Sequence, residues 1–163
     1  IPYVILGHEG RYLSYVRGKR AGETRLVGNR SIGIGGHINP EDDAPLLSPD
    51  FREAYLTAVD REVEEEIHVE TGSTDRIVAL LQDESNEVGR VHLGVVHFRS
   101  LEAAAVTKRE QMITQMGFLT ADELRAEREA METWSQICLD GLAEMEARAA
   151  GMPSTAEMLG IEY

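Results

Sequence analysis

Residues 53–66, EAYLTAVDREVEEE, constrain this chain more than any other stretch. Residues 51–67 contain neither Gly nor Pro, and Leu56, Val59, Val63 and Ile67 recur at spacings of three and four. That pattern predicts a helix with one apolar stripe. At about 100° per residue, Glu62, Glu65 and Glu66 fall within roughly 100° of one another on an adjoining arc. Like charges so close destabilise a bare helix. Either the face is a solvated acidic surface, or a cation neutralises it. Clustered carboxylate oxygens suit a hard divalent ion, Mg2+ or Mn2+, which keeps several waters and takes further ligands from substrate phosphates.

The net charge needs the same explanation. The chain has 163 residues, 16 Lys and Arg against 29 Asp and Glu, and a formal charge of −13. This argues against a nucleic-acid polymer as partner, which calls for a basic face, and against an anionic membrane surface. It leaves room for a small phosphorylated ligand bridged by metal ions. Between positions 11 and 30, Arg11, Arg17, Lys19, Arg20, Arg25 and Arg30 face one acid, Glu23, so a basic segment precedes an acidic remainder. An apolar share of 42% is ordinary for a globular chain. The length suits a single domain over 1–163 with one core. A lone cysteine, Cys138, and the lack of a long apolar run lead us to expect a cytoplasmic protein. The chain begins at Ile1 inside an apolar run, which we read as an N-terminus with residues missing upstream.

Along the chain, residues 2–6 and 12–17 read as a hairpin, 18–29 as a basic loop, and 31–34 as a short strand before Gly35-Gly36. Residues 39–48, with Pro40, Pro45 and three acids, read as a loop. Asp50 is the expected N-cap of the helix, with Glu53 completing a capping box. Strands are expected at 77–81 and 91–98, joined by a polar turn over 82–89. A second capping box at Thr120 and Glu123 opens a helix to about 130, a last helix spans 132–149, and 151–163 is a tail. The fold class is α/β (α+β) with mixed strand directions.

The segment running from Glu53, over seven residues, to Arg61-Glu62-Val63-Glu64-Glu65-Glu66-Ile67-His68-Val69 resembles the signature box of the Nudix (MutT-like) hydrolase superfamily. That box reads Gly, five residues, Glu, seven residues, Arg-Glu-aliphatic-any-Glu-Glu-any-Gly-aliphatic. The SIGIGGHI and SNEVGRVHLGVV segments are similar to a bacterial subgroup of predicted phosphoesterases. The chain departs from the box twice. Leu47 stands where the first Gly belongs, so Gly35-Gly36 looks like its counterpart, with an insertion in the 38–48 loop. His68 replaces the Gly that ends the helix, where a cap often needs positive φ.

The resemblance implies an α/β/α sandwich with a mixed central sheet and a catalytic helix. It also implies Mg2+ or Mn2+ as cofactor and a small-molecule diphosphate as substrate. Glu62, Glu65 and Glu66 would bind the metal, and Arg61 would orient their carboxylates. Gly35 or Gly36 would offer a backbone carbonyl, while Glu53 would have a structural or outer role. Relatives place the general base on the helix or in a later loop. Glu110 is the candidate here, with Glu84, Glu87 and Glu102 in competition. Arg17, Arg30 and His37 are candidate substrate-binding residues, Arg30 foremost because Arg can grip phosphate bidentately. Asn86 and Arg90 are candidates to line the pocket. His92 and His97 read as core or surface histidines rather than ligands, and Trp134 and Cys138 as packing residues. Many relatives form homodimers, for which the C-terminal helices are available. Two alternatives stand beside the hydrolase: a non-catalytic Nudix-like binding module, and an isopentenyl-diphosphate-isomerase-like enzyme. The latter would need a Cys near the strand before the helix.

Overall fold

The alternation of the first strand builds two cores at once. In β1 (Pro2–His8), Tyr3 and Ile5 point to one face while Val4 and Leu6 point to the other, and all four are buried. A strand apolar on both sides needs cover on both sides. The computed structural model describes residues 1–18, 29–39 and 50–161. Lys19, Arg20 and Arg25 of the basic segment, and positions 40–48 of the expected insertion, lie outside them.

The main sheet runs in the order β3-β2-β1-β7-β6. It comprises β2 (Arg11–Arg17), β3 (Arg30–Ser31), β6 (Ser73–Leu81) and β7 (Gly94–Leu101) around β1. A short β4 (Ile34–Gly35) also pairs with β1, and β9 (Ile113–Thr120) with β2. The β1–β7 pairing is parallel and the others are antiparallel, so the sheet is mixed as expected. A two-stranded ladder joins β5 (Ile67–Val69) to β8 (Val106–Lys108).

Helix α1 (Phe51–Glu66) covers one face, packing Val59 and Val63 onto Val4, Leu6 and Leu13. Each fully buried Val or Leu contributes about 1.5–3 kcal/mol. The other face is covered by α3 (Ala121–Ala126), α4 (Thr133–Asp140) and α5 (Leu142–Ala150), through Leu124, Leu139, Leu142 and Met145. The result is the expected α/β/α sandwich.

Several boundaries differ from the expectation. Asp50 caps α1 through the Arg52 N–H rather than through a reciprocal bond with Glu53. The helix to about 130 ends at Ala126 and is followed by a 3-10 turn over Arg128–Ala130. The helix expected over 132–149 breaks at Gly141 into α4 and α5. The polar turn contains a single helical turn, α2 (Glu87–Arg90), capped by Asn86. The segment read as a tail carries α6 (Thr155–Leu159), opened by a Ser154–Glu157 capping box. Strands β5, β8 and β9 lack clear alternation in the sequence and take their conformation from their partners. His68 sits in β5, because α1 passes straight into extended backbone at Ile67. Among the described non-glycine residues, positive φ occurs at Glu9 and Gln115, so His68 bears no such strain.

A buried polar chain ties α1 and α6 to the sheet. Tyr55 of α1 donates its hydroxyl to His97 Nε2 (2.5 Å), and His97 Nδ1–H donates to Asp75 Oδ1 (2.6 Å). Asp75 also accepts from the Thr155 hydroxyl and from Arg99 Nε (3.0 Å), while Arg99 Nη2 reaches Asp60 on α1 (3.0 Å). Burial, then the charge of Asp75, raises the Tyr55 hydroxyl above its ordinary range and keeps it a donor. Burial alone would raise Asp75 too, but the His97 and Arg99 contacts outweigh it and hold its carboxyl below the usual range.

Candidate active site

The carboxylate face of α1 meets the backbone of the segment that follows β4. Arg61 is the pivot. Its Nη1 donates to Glu62 Oε1 (2.8 Å) and to Glu65 Oε1 (3.0 Å), and its Nη2 donates to the His37 carbonyl (2.9 Å). Gly36 lies against Glu62 so closely that a Cβ there would stand 1.9 Å from its Oε2. Only a residue without a side chain leaves that carboxylate in place. A Cβ on Gly35 would stand 2.8 Å from the Pro2 carbonyl oxygen, so that position is confined by β1 rather than by a carboxylate.

Glu66 has a different environment. Its Oε1 accepts from Arg17 Nη2 (3.3 Å), and the Arg17 guanidinium lies over the Tyr15 ring. Its Oε2 is buried, and among the described residues it has no hydrogen-bond partner. A carboxylate oxygen in that state carries an uncompensated desolvation cost. Its backbone carbonyl accepts from the Arg109 and Glu110 N–H groups (3.0 and 3.1 Å), which brings Glu110 to the end of the helix. There the Glu110 carboxylate accepts from the Met112 N–H (3.1 Å). A cleft of about 630 Å3 along α1 is lined by Thr57, Asp60, Arg61, Glu64, Glu65 and Arg109. Arg109 was missed in the sequence, where nothing distinguishes it from any other loop cation.

Among the described residues, no three His, Cys, Asp or Glu side chains converge in a cage ready for a metal ion. Arg61 and Arg17 occupy the carboxylates instead. The donors nevertheless fit a hard divalent cation. They are all oxygen, they share one helix face, and one of them is buried and, among the described residues, unpaired.

The structure thus brings together Arg61, Glu62, Glu65, Glu66, Gly36, the His37 backbone, Arg17 and Glu110. Arg30 is engaged elsewhere: its guanidinium donates to Ser14 Oγ (2.9 Å) and Gln115 Oε1 (3.3 Å) across β2 and β9. Glu53 is exposed on the first turn of α1. Glu102 lies beside Gly72, and the Glu84 carbonyl is taken by Arg90. Asn86, Glu87 and His37 line a second cleft of about 760 Å3. His97 and Trp134 pack in the interior, Trp134 edge-on to Tyr3 with ring centroids 5.5 Å apart. Cys138 is buried in α4, and burial, with Glu132 nearby, pushes its thiol up to about 12. That is inert sulfur, not a nucleophile.

A mixed sheet between helices, with an Arg-Glu-x-x-Glu-Glu helix facing a glycine segment, defines the chain as a member of the Nudix superfamily. It is 33% identical over 147 residues to Protein YmaB of Bacillus subtilis, a match spanning 86% of this chain and 68% of that protein. Among solved structures it is similar to Tm1382, assigned as a Nudix hydrolase. That match has 28% identity, a TM-score of 0.67, and coverage of 88% of this chain and 69% of Tm1382. The NUDIX domain of Shewanella oneidensis NrtR, solved with ADP ribose, shares the fold at 12% identity. Its TM-score is 0.62, with 90% and 88% of the two chains covered. No family model matches the chain. Among the described residues, no helix is long and apolar enough to cross a membrane.

Proposed function

We propose that the protein hydrolyses the diphosphate linkage of a nucleoside diphosphate derivative or related organic pyrophosphate, with Mg2+ or Mn2+ held by Glu62, Glu65 and Glu66. The observation that carries this reading is the buried Oε2 of Glu66, unpaired among the described residues, on the helix face that also bears Glu62. A bound divalent ion would lower the pKa of water and offset charge on the phosphates. Arg61 bridges Glu62 and Glu65 through one nitrogen and fastens them through the other to the His37 backbone. Gly36 lets that backbone approach. Arg17, in a charge pair with Glu66, would turn towards a phosphate oxygen of the substrate. In the reaction, water adds to one phosphorus and the bridging P–O bond breaks. The water proton passes to a carboxylate, with Glu110 the candidate outside the helix, and a second phosphorylated product leaves.

The test is Glu66→Gln, assayed by phosphatase-coupled phosphate release over a panel of nucleoside diphosphate derivatives with Mg2+. The expected loss of rate is roughly 100-fold or more, because metal charge stabilisation supplies several kcal/mol. The folded state should persist. An unaffected rate would sink the ligand assignment. A wild-type protein silent across the whole panel would point instead to a binding module.

A further inference from the structure

Away from the carboxylate face, two histidines meet across the 760 Å3 cleft. His37 follows β4 and His92 follows α2, and their Nε2 atoms stand 3.4 Å apart, with the rings edge to face and centroids 5.5 Å apart. His92 Nδ1 lies 2.6 Å from the Val88 carbonyl. A carbonyl only accepts, so that nitrogen carries the hydrogen, and the Nε2 of the neutral ring presents a lone pair towards His37. Donation from Nδ1–H to a backbone carbonyl is the outer contact that orients metal-ligating histidines. The spacing points the same way. Two imidazole nitrogens at 2.0–2.1 Å from a tetrahedral Zn2+ stand about 3.3 Å apart, whereas 3.4 Å is long for a direct hydrogen bond between them. Glu87 lines the same cleft.

We propose that His37 and His92 form a two-histidine site for a borderline transition-metal cation, Zn2+ foremost, with water in the remaining positions. This site is chemically distinct from the all-oxygen face of α1, since imidazole suits Zn2+ while carboxylate and water suit Mg2+ and Mn2+. It also has a mechanical link to that face. The His37 carbonyl accepts from Arg61, so a cation on the His37 ring fastens the segment that holds the arginine.

The experiment is calorimetric titration of ZnCl2 into the full chain in excess Mg2+, which saturates the oxygen sites. A single Zn2+ should bind per chain. His92→Gln and His37→Gln should each weaken it by at least about tenfold, the smallest cost typical of losing even an outer-shell partner. Both variants should keep the wild-type melting temperature measured without metal, since the rings lie at the surface of the cleft. Glu66→Gln should leave Zn2+ binding intact. Co2+ in place of Zn2+ should give the strong visible bands of a four-coordinate ion. The proposal is overturned if the wild type takes up no Zn2+, if His92→Gln binds it as tightly, or if Glu66→Gln abolishes it. A weak six-coordinate Co2+ spectrum would overturn it equally.

Discussion

Two charged systems flank helix α1 and are finished differently. On the sheet side, Tyr55, His97, Asp75, Arg99, Thr155 and Asp60 form a chain in which donors meet acceptors across four elements. On the other side, among the described residues, three glutamates share two arginines, and Glu66 keeps a buried oxygen with no partner. A completed network can only hold a structure together. An incomplete one stores unmet electrostatic demand, which a cation can satisfy.

The largest expected effect comes from breaking the completed side. Asp75→Ala leaves His97 and Arg99 buried without their carboxylate and should cost about 3 kcal/mol in urea unfolding. A cost near zero would erase the contrast between the two systems. The pH dependence has a definite sign. Asp75 is held below its ordinary range, so its contribution is present above about pH 4, the unfolded value, and fades as pH falls through the folded one. Asp75→Asn should flatten that acid limb of stability against pH. Glu66→Gln is the mirror image: it should remove activity, while melting without metal stays unchanged or rises, since the amide keeps an acceptor oxygen for Arg17 and removes the charge from the oxygen that has no partner among the described residues. A clear drop in melting temperature would mean that Glu66 belongs to the structural side.

Gly36→Ala sharpens the comparison further. Its methyl must displace the Glu62 carboxylate or the backbone, so the rate should fall roughly tenfold, by about 1.4 kcal/mol. Steady-state kinetics alongside thermal melting would separate this from misfolding. The smallest expected effect is that of Arg30→Ala. With its guanidinium on Ser14 and Gln115, the substitution should cost about 1 kcal/mol of stability and leave turnover unchanged. A fall in kcat with unaltered melting would return Arg30 to the substrate.

Much of this was legible in the chain itself. The stripe of Leu56, Val59, Val63 and Ile67 announced the helix and the side it buries, and Glu62, Glu65 and Glu66 followed from the same period. The strands β8 and β9 were not legible, because residues 106–120 alternate poorly and become extended by pairing with β5 and β2. The break at Gly141 is visible only once α4 and α5 pack separately against the sheet.

What the sequence determined alone was periodic or local: the box helix with its acidic face, the caps at Asp50 and Thr120, and the hairpin of β1 and β2. Those depend on side chains a few residues apart, whose geometry the backbone dictates. Tertiary structure decided which distant groups meet. It placed Gly36 on Glu62, Arg17 on Glu66, Arg30 on Ser14 and Gln115, and the ring of His37 opposite that of His92. Contacts across dozens of residues depend on loop paths and strand order, for which a linear pattern carries no distance.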